Sequence, residues 1–292
     1  MKPARFDYLR PATLAEALQM LHDHRDGDAK ILAGGQSLVP MMNFRMAQPE
    51  TLIDINRLDE LAFVEDRGAT IAIGALTRHN DVMGHPLVAR YLPLVAAAYA
   101  NVAHHTIRNR GTIGGNVVHA DAASEMPAVL AALDATFRLD SIDGTRNLPA
   151  SAFFLGVFTT GVEPNELLSE IEVAKPASGT GTAFEEVSLR TGDFAMASVA
   201  TEIRVEAGRI AAARIAIGGI AGAPLRANLA ETRLVGAEPT PNAIEAIAAA
   251  QIEPMEFFAT PGVSAAYRRD ATRALLERTV LRAADKSRRS TQ

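Results

Sequence analysis

The 292-residue sequence contains no cysteine and no tryptophan. Without thiols the chain has no disulfide, no cysteine-ligated iron–sulfur cluster, no zinc–thiolate site and no thiol nucleophile. Any redox or metal chemistry it joins has to use a bound cofactor or another subunit. There is no basic excess either. Lys and Arg number 29 against 34 Asp and Glu, a net charge of −5, which disfavours nucleic acid as the partner because a phosphate-binding surface needs surplus cations. No apolar run approaches the ~18 residues of a membrane span. The opening "MKPARFDYLRPATLAEAL" has no apolar signal core, so a cytoplasmic location is expected.

What is present is an ordinary globular composition, 48% hydrophobic and 22% charged, in a chain long enough for two or three compact units. "FDYL" reads as a short strand. Thr13 and Glu16 have capping-box spacing for a helix carrying Leu14, Leu18 and Leu21. "AKILAGG" reads as a buried strand and turn, "SLVPMMNFR" as a short helix with Ser37 at its N-cap, and "TLIDI" as the next strand. This β-α-β opening predicts a small parallel sheet covered by helices.

From about residue 61 the pattern changes. "LAFVED" and "TIAIGA" form a hairpin, Thr77 caps "RHNDVM", and Pro86 starts the helix "PLVARYLPLVAAAYA". A polar loop, "HHTIRNRGT", leads to a second glycine turn and the helix "SEMPAVLAALDA". "TFRLDS" and "TRNLPA" bracket another hairpin, and "ELLSEIEVAKP" is a strand. The small, polar "KPASGTGT" marks a domain boundary. Beyond it the sequence predicts a three-stranded antiparallel meander, helices near 228–235, 241–250 and 264–284, and a frayed tail, "DKSRRSTQ".

Two glycine turns stand out: Ala33-Gly34-Gly35-Gln36-Ser37, and Gly111-Thr112-Ile113-Gly114-Gly115-Asn116. Paired glycines adopt positive φ and remove the Cβ atoms that block a ligand. Their successive N–H groups form a concave anion site, and a helix starting at Ser37 adds unpaired donors. Neither turn is followed by the lysine of a GxxxxGK[ST] loop, and neither fits GxGxxG, so a Rossmann reading is disfavoured. Either turn alone is more often a tight structural turn; the pair, with Gln, Ser, Thr and Asn beside the glycines, points to a dinucleotide.

Three segments carry a family resemblance: "AGGQSLVPMMNFRMAQPETLIDINRL", "TIRNRGTIGGNVVHADAASEMPAVLAAL" and "FEEVSLRTGDFAMASVA". In their order and spacing they resemble the FAD-binding medium subunit of the molybdenum hydroxylases, whose members include carbon monoxide dehydrogenase, nicotine dehydrogenase, quinoline oxidoreductase and 4-hydroxybenzoyl-CoA reductase, with a corresponding domain in xanthine dehydrogenase. The resemblance covers nearly the whole chain. It implies an α+β fold. A two-lobed FAD-binding PCMH (vanillyl-alcohol oxidase-type) domain spans 1–176, with lobes of about 1–57 and 58–176. A smaller α+β C-terminal domain spans 177–286, and a tail 287–292.

By the same resemblance, Leu32, Ala33, Gly34, Gly35, Gln36, Ser37 and Leu38 wrap the FAD pyrophosphate. Thr112, Gly114, Gly115 and Asn116 approach it from the other lobe. Ser124 and Glu125 lie near the ribose and pyrophosphate, and Val102 and Leu168 near the rings. Glu185 stands where the xanthine dehydrogenase branch has lysine near the flavin, which disfavours an anionic reduced flavin and that branch's NAD chemistry. Gln36 replaces a histidine more usual in carbon monoxide dehydrogenases, leaning towards an aromatic or N-heterocyclic substrate.

The implied role is an electron-transfer flavoprotein subunit, with no catalytic nucleophile, acid–base pair or metal ligand required of this chain. Substrate would be hydroxylated at molybdopterin in a large subunit, and electrons would pass through two [2Fe–2S] clusters of a small subunit to FAD and an external acceptor. The assembly would be a heterohexamer, a dimer of heterotrimers. Two other readings stay open: a free-standing FAD-dependent oxidase and a non-catalytic nucleotide-binding assembly module.

Several residues have plainer readings. His104 and His105 read as a polar loop pair, and His119 and Asp121 as a hydrogen bond fixing a strand or loop. Arg108 and Arg110 read equally as diphosphate ligands and as solvated arginines. Met41, Met42 and Met46 read as core filling. Asp193 and Phe194 stand evenly between a place near the flavin and a turn aspartate before a buried phenylalanine.

Overall fold

A computed structural model of the chain describes residues 2–290. The first lobe contains β1 (Asp7–Leu9), α1 (Leu14–Asp23), β2 (Ala29–Leu32), α2 (Leu38–Asn43) and β3 (Thr51–Asp54). The strands form a parallel sheet in the order β1-β3-β2, as the β-α-β pattern predicts. Thr13 caps α1 by accepting from the Glu16 N–H, while the Glu16 carboxylate accepts from the Ala12 N–H. Helix α1 then turns Ala17 and Leu21 onto Ile53. Of the three methionines near α2 only Met42 is buried; Met46 is exposed.

The second lobe begins with β4 (Val64–Asp66) and β5 (Thr70–Gly74). Helices α3 (His79–Gly84), α4 (Pro86–Tyr91), α5 (Pro93–Tyr99), α6 (His105–Arg108), α7 (Ile113–His119) and α8 (Glu125–Ala132) follow. Then come β6 (Thr136–Ser141), β7 (Gly144–Pro149), α9 (Ala150–Phe153), β8 (Phe154–Gly156), β9 (Thr159–Thr160) and β10 (Leu167–Ala174). The main sheet runs β4-β5-β10-β6-β7, antiparallel throughout.

Three local expectations change here. Pro93 lacks the N–H a continuous helix would need, so the expected single helix from Pro86 is two, α4 and α5. The loop "HHTIRNRGT" contains α6. Thr77 does not cap α3: its hydroxyl bonds the carbonyls of Gly74 and Phe63 and accepts from the Phe63 N–H, leaving Arg78 at the cap position.

The C-terminal region is a meander of β11 (Thr180–Val187), β12 (Ala197–Glu206) and β13 (Arg209–Gly218), extended at one edge by the two-residue β14 (Leu225–Arg226). Helices α10 (Asn228–Leu234), α11 (Pro241–Ile252) and α12 (Ala265–Arg289) cover one face. The cross-strand row Ala183-Thr201-Ile215 and the row Glu185-Val199-Ile217 lie on that face. The row Phe184-Ala200-Ala216 points the other way, into the core of the second lobe. The C-terminal sheet is thus sandwiched between its own helices and the preceding domain. Helix α12 continues through Arg289, with Ser287 fully buried, so the expected frayed tail is helical for most of its length; residues 291–292 lie outside the described residues.

Candidate functional site

After β2 the chain turns through Ala33–Ser37 into α2. Gly35 sits at φ +70°, a conformation open to glycine at no steric cost. Asn56, just past β3, anchors the turn from behind. Its side-chain amide donates to the carbonyls of Leu32 (3.2 Å) and Ala33 (2.6 Å) and to the Asp54 carboxylate (2.7 Å). Gln36 folds back to donate to the Gly34 carbonyl at 3.2 Å. With the carbonyls engaged in this way, the N–H groups of Gly34, Gly35, Gln36, Ser37 and Leu38 have no acceptor among the described residues. Ser37 occupies the N-cap position but makes no side-chain capping bond.

Gly34, Gly35 and Gln36 of this run border a cleft of about 470 Å³ whose wall also includes Tyr8, Arg10, Val39 and Arg110. Burial alone would raise the Asp54 carboxyl, but bonds from the Tyr8 hydroxyl and from Asn56 outweigh it and hold the group below the usual carboxylate range.

The second turn is built differently from the expectation. Gly114 and Gly115 lie in the first turn of α7 and do not have positive φ. Thr112 is the N-cap and its hydroxyl accepts from the Gly115 N–H at 3.0 Å. The N–H groups of Ile113, Gly114 and Asn116 donate to Thr77, Ala75 and Thr112 carbonyls. The Ile113, Gly114, Gly115 and Asn116 donors assigned to a second backbone cradle are therefore engaged within the protein, and only the Thr112 N–H of that set has no acceptor among the described residues. Gly114 is needed for close packing instead: a Cβ there would stand 2.5 Å from the Ala75 Cβ. Besides the Thr112 N–H, this segment offers a ligand a side chain. Asn116 donates to the Ser124 hydroxyl at 2.8 Å, and its Oδ1 is buried with no partner.

The two turns meet. A Cβ on Gly34 would lie 2.3 Å from the Arg110 carbonyl oxygen and 2.7 Å from the Gly111 Cα, and one on Gly115 would lie 3.6 Å from the Ala33 Cβ. Arg78 bridges the lobes, donating to Asn56 Oδ1 at 2.8 Å and to the Arg110 carbonyl. Burial lowers the Arg78 pKa, and the neighbouring Arg110 adds to this. Neither Arg78 nor Asn56 stood out in the sequence. The available signal was weak: Asn56 directly follows the strand "TLIDI", and Arg78 opens the segment "RHNDVM", read only as a helix.

Ser124 and Glu125 begin α8, and both are buried. Burial pushes the Glu125 carboxyl up to about 7, against the pull of its backbone and Ser124 hydrogen bonds. Glu186, on β11, is pushed up to about 8 by burial and by the charge of Glu125. Its neighbour Glu185 was the residue expected at the flavin. The side chain of Glu185 instead lies on the α12 face, where its carboxylate pairs with Arg278 and Arg282 at 2.8 Å each. Strand side chains alternate between faces, so the residue turned towards the flavin-binding domain is Glu186.

Val102 and Leu168 are both buried in the core of the second lobe, and neither lines the cleft. Arg108 is spent on the Val102 and Ala103 carbonyls and on Asn80, whereas Arg110 reaches the cleft. His119 ends a helix rather than sharing a strand face with Asp121, and it packs on Phe158. Gly192 packs against the His104 ring, and Phe194 beyond it is 59% exposed.

The arrangement fits an FAD diphosphate at the first turn. Five successive N–H donors of the turn have no acceptor among the described residues, two arginines line the cleft, and a glycine at positive φ would permit close approach of an anion.

Comparison with known proteins agrees. Residues 4–176 match the FAD binding domain in molybdopterin dehydrogenase, and residues 182–283 the CO dehydrogenase flavoprotein C-terminal domain. The chain is 41% identical over 289 residues to the alpha subunit of the 6-hydroxypseudooxynicotine dehydrogenase complex of Paenarthrobacter nicotinovorans, covering 99% of this chain and 97% of that one. It is similar in structure to carbon monoxide dehydrogenase from Hydrogenophaga pseudoflava (TM-score 0.94, 41% identity, 98% and 99% of the two chains). It is equally similar to quinoline 2-oxidoreductase from Pseudomonas putida 86 (TM-score 0.94, 35% identity, 98% and 99%).

Proposed function

The chain belongs to the family of FAD-binding medium subunits of molybdenum hydroxylases, and from that premise we propose that it holds FAD between its lobes within a heteromeric dehydrogenase. When bound, FAD supplies redox chemistry that links one-electron donors, the [2Fe–2S] clusters of a small subunit, to an external acceptor. Hydroxylation belongs to the molybdopterin site of a large subunit.

This chain's contribution is to bind and orient. The N–H groups of Gly34 to Leu38 receive the diphosphate without lysine. Asn56 and Arg78 fix the turn and the spacing of the lobes. Asn116, Ser124 and Glu125 supply polar contacts to the ribose side. Arg10 and Arg110 offset the diphosphate charge at the cleft.

The run of five N–H donors without acceptors carries this assignment. The substrate is assayed on the assembled complex: the relatives' names and Gln36 support an N-heterocyclic or other aromatic compound, with carbon monoxide as the comparison. A cytoplasmic location and a dimer of heterotrimers complete the proposal.

Co-purification tests it. A tagged chain brings down a molybdenum-containing large chain and an iron–sulfur small chain, with one FAD per copy of itself. A well-folded preparation that is colourless, or that arrives with no such companions, contradicts it.

A further inference from the structure

Glu186 shares a cross-strand row with Ser198 and Gly218, on the same sheet face as Phe184, Ala200 and Ala216. That face meets the flavin-binding domain. A Cβ on Gly218 would stand 3.1 Å from the Ala128 Cβ of α8 and 3.8 Å from the Ala122 carbonyl. The Gly219 and Ala195 N–H groups donate to Ala122 and Ala123 at 2.8 Å and 3.1 Å. The row therefore lies against the segment that enters α8, where Glu125 is the first helical residue.

Polar atoms without partners collect along this junction: Glu186 Oε2, Ser198 Oγ and, one step towards the glycine turns, Asn116 Oδ1. Neither Glu125 nor Glu186 has an ion-pair partner among the described residues. The other ionisable groups acting on the pair are Asp121, ahead of α8, whose charge disfavours ionisation of Glu125, and the Tyr99 hydroxyl of α5. His119 sits near Asp121; burial lowers its pKa, with the Asp121 charge opposing. Glu125 is buried and Glu186 half-buried, and two neighbouring carboxylates shielded from water with no cation beside them cannot both ionise cheaply.

We propose that the C-terminal domain contributes an acid to the cofactor pocket: Glu186 and Glu125 form a carboxyl pair across the domain junction that keeps a proton at neutral pH, and loss of that proton weakens FAD binding. The inference rests on the reading that the first glycine turn holds the FAD diphosphate. That diphosphate brings two further negative charges to the neighbourhood of the pair, so the protonated pair and the bound cofactor favour each other through linkage. Burial pushes the Glu125 carboxyl up to about 7, and burial with the Glu125 charge pushes Glu186 up to about 8. FAD itself has no group that ionises between those values, so a pH slope there belongs to the protein.

The test uses the full chain stripped of flavin and titrated with FAD from roughly pH 6 to pH 9. The wild-type dissociation constant rises with pH, by up to about tenfold per unit. The double variant Glu125→Gln/Glu186→Gln gives a flat profile near the wild-type acid-side value, and Glu186→Gln alone, which mimics the protonated acid in shape, reduces the slope to what Glu125 contributes. Infrared spectra of the flavin-free chain at neutral pH show a protonated carboxyl carbonyl band that weakens in the same variant. A wild-type slope retained in Glu186→Gln, a flat wild-type profile, or an infrared band absent or unchanged in the variant overturns the proposal. Failure of the wild type to bind FAD at any pH refutes the turn's assignment instead, and the infrared band still decides the pair.

Discussion

Gly34 packs so closely on Arg110 that a methyl group in place of its hydrogen would stand 2.3 Å from the Arg110 carbonyl oxygen. The contact joins two segments 76 positions apart (110 − 34), one from each lobe. Gly34→Ala cannot be accommodated by rotating a side chain, because the obstruction is backbone. Overpacking of this kind costs about 1–3 kcal/mol, so the variant is expected to fold and to bind FAD roughly 5- to 150-fold more weakly. Flavin content after purification and a titration of the flavin-free chain measure it.

The glycines of the two turns separate in their roles. Gly35→Val places a β-branched residue at φ +70°, in a region such residues avoid, with its Cβ 3.2 Å from Val39 and 3.3 Å from Leu32 side-chain atoms. FAD is expected to be lost. Gly115→Ala meets the Thr112 hydroxyl at 2.9 Å and the Ala33 Cβ at an ordinary contact distance of 3.6 Å, and gains helix propensity, so near-normal flavin content is expected. Equal losses in both variants would contradict this division.

Arg78→Gln removes the donor that spans Asn56 Oδ1 and the Arg110 carbonyl. Hydrogen bonds from a charged donor contribute about 1.5–3 kcal/mol. The expected outcome is weaker FAD binding by about tenfold or more, with little change in the melting temperature of the flavin-free chain. A normal dissociation constant would show that the lobes hold their spacing without the strut.

Glu185→Lys gathers three cations where one carboxylate now binds Arg278 and Arg282. It should lower the melting temperature and leave the flavin midpoint potential unchanged, because the side chain faces α12. A potential that rises would place Glu185 near the ring after all.

Much of this architecture is written in local pattern. The Thr13–Glu16 spacing announces α1, alternation announces the β11–β13 meander, and glycine pairs mark both turns. What the sequence concealed depends on parity or on distant contacts. The doublet Glu185-Glu186 does not say which carboxylate faces which domain; register decides that, and one residue reverses the answer. Gly114 and Gly115 looked like a second cradle because a glycine pair is equally suited to positive φ and to close packing. The Thr112 cap and the Ala75 backbone select packing. Arg78 and Asn56 are 22 residues apart in sequence, and nothing local identifies them as a pair.

The central claim is that the Gly34–Leu38 amides receive the FAD diphosphate, while those of Ile113, Gly114, Gly115 and Asn116 in the second turn are already bonded within the protein. Residue-resolved amide hydrogen exchange on the full chain, with and without FAD, tests it most directly. The account predicts new protection at Gly34, Gly35, Gln36, Ser37 and Leu38 on adding FAD, with Ile113 and Gly114 protected in both states. Stoichiometric FAD binding that leaves exchange at Gly34–Leu38 unchanged would contradict it.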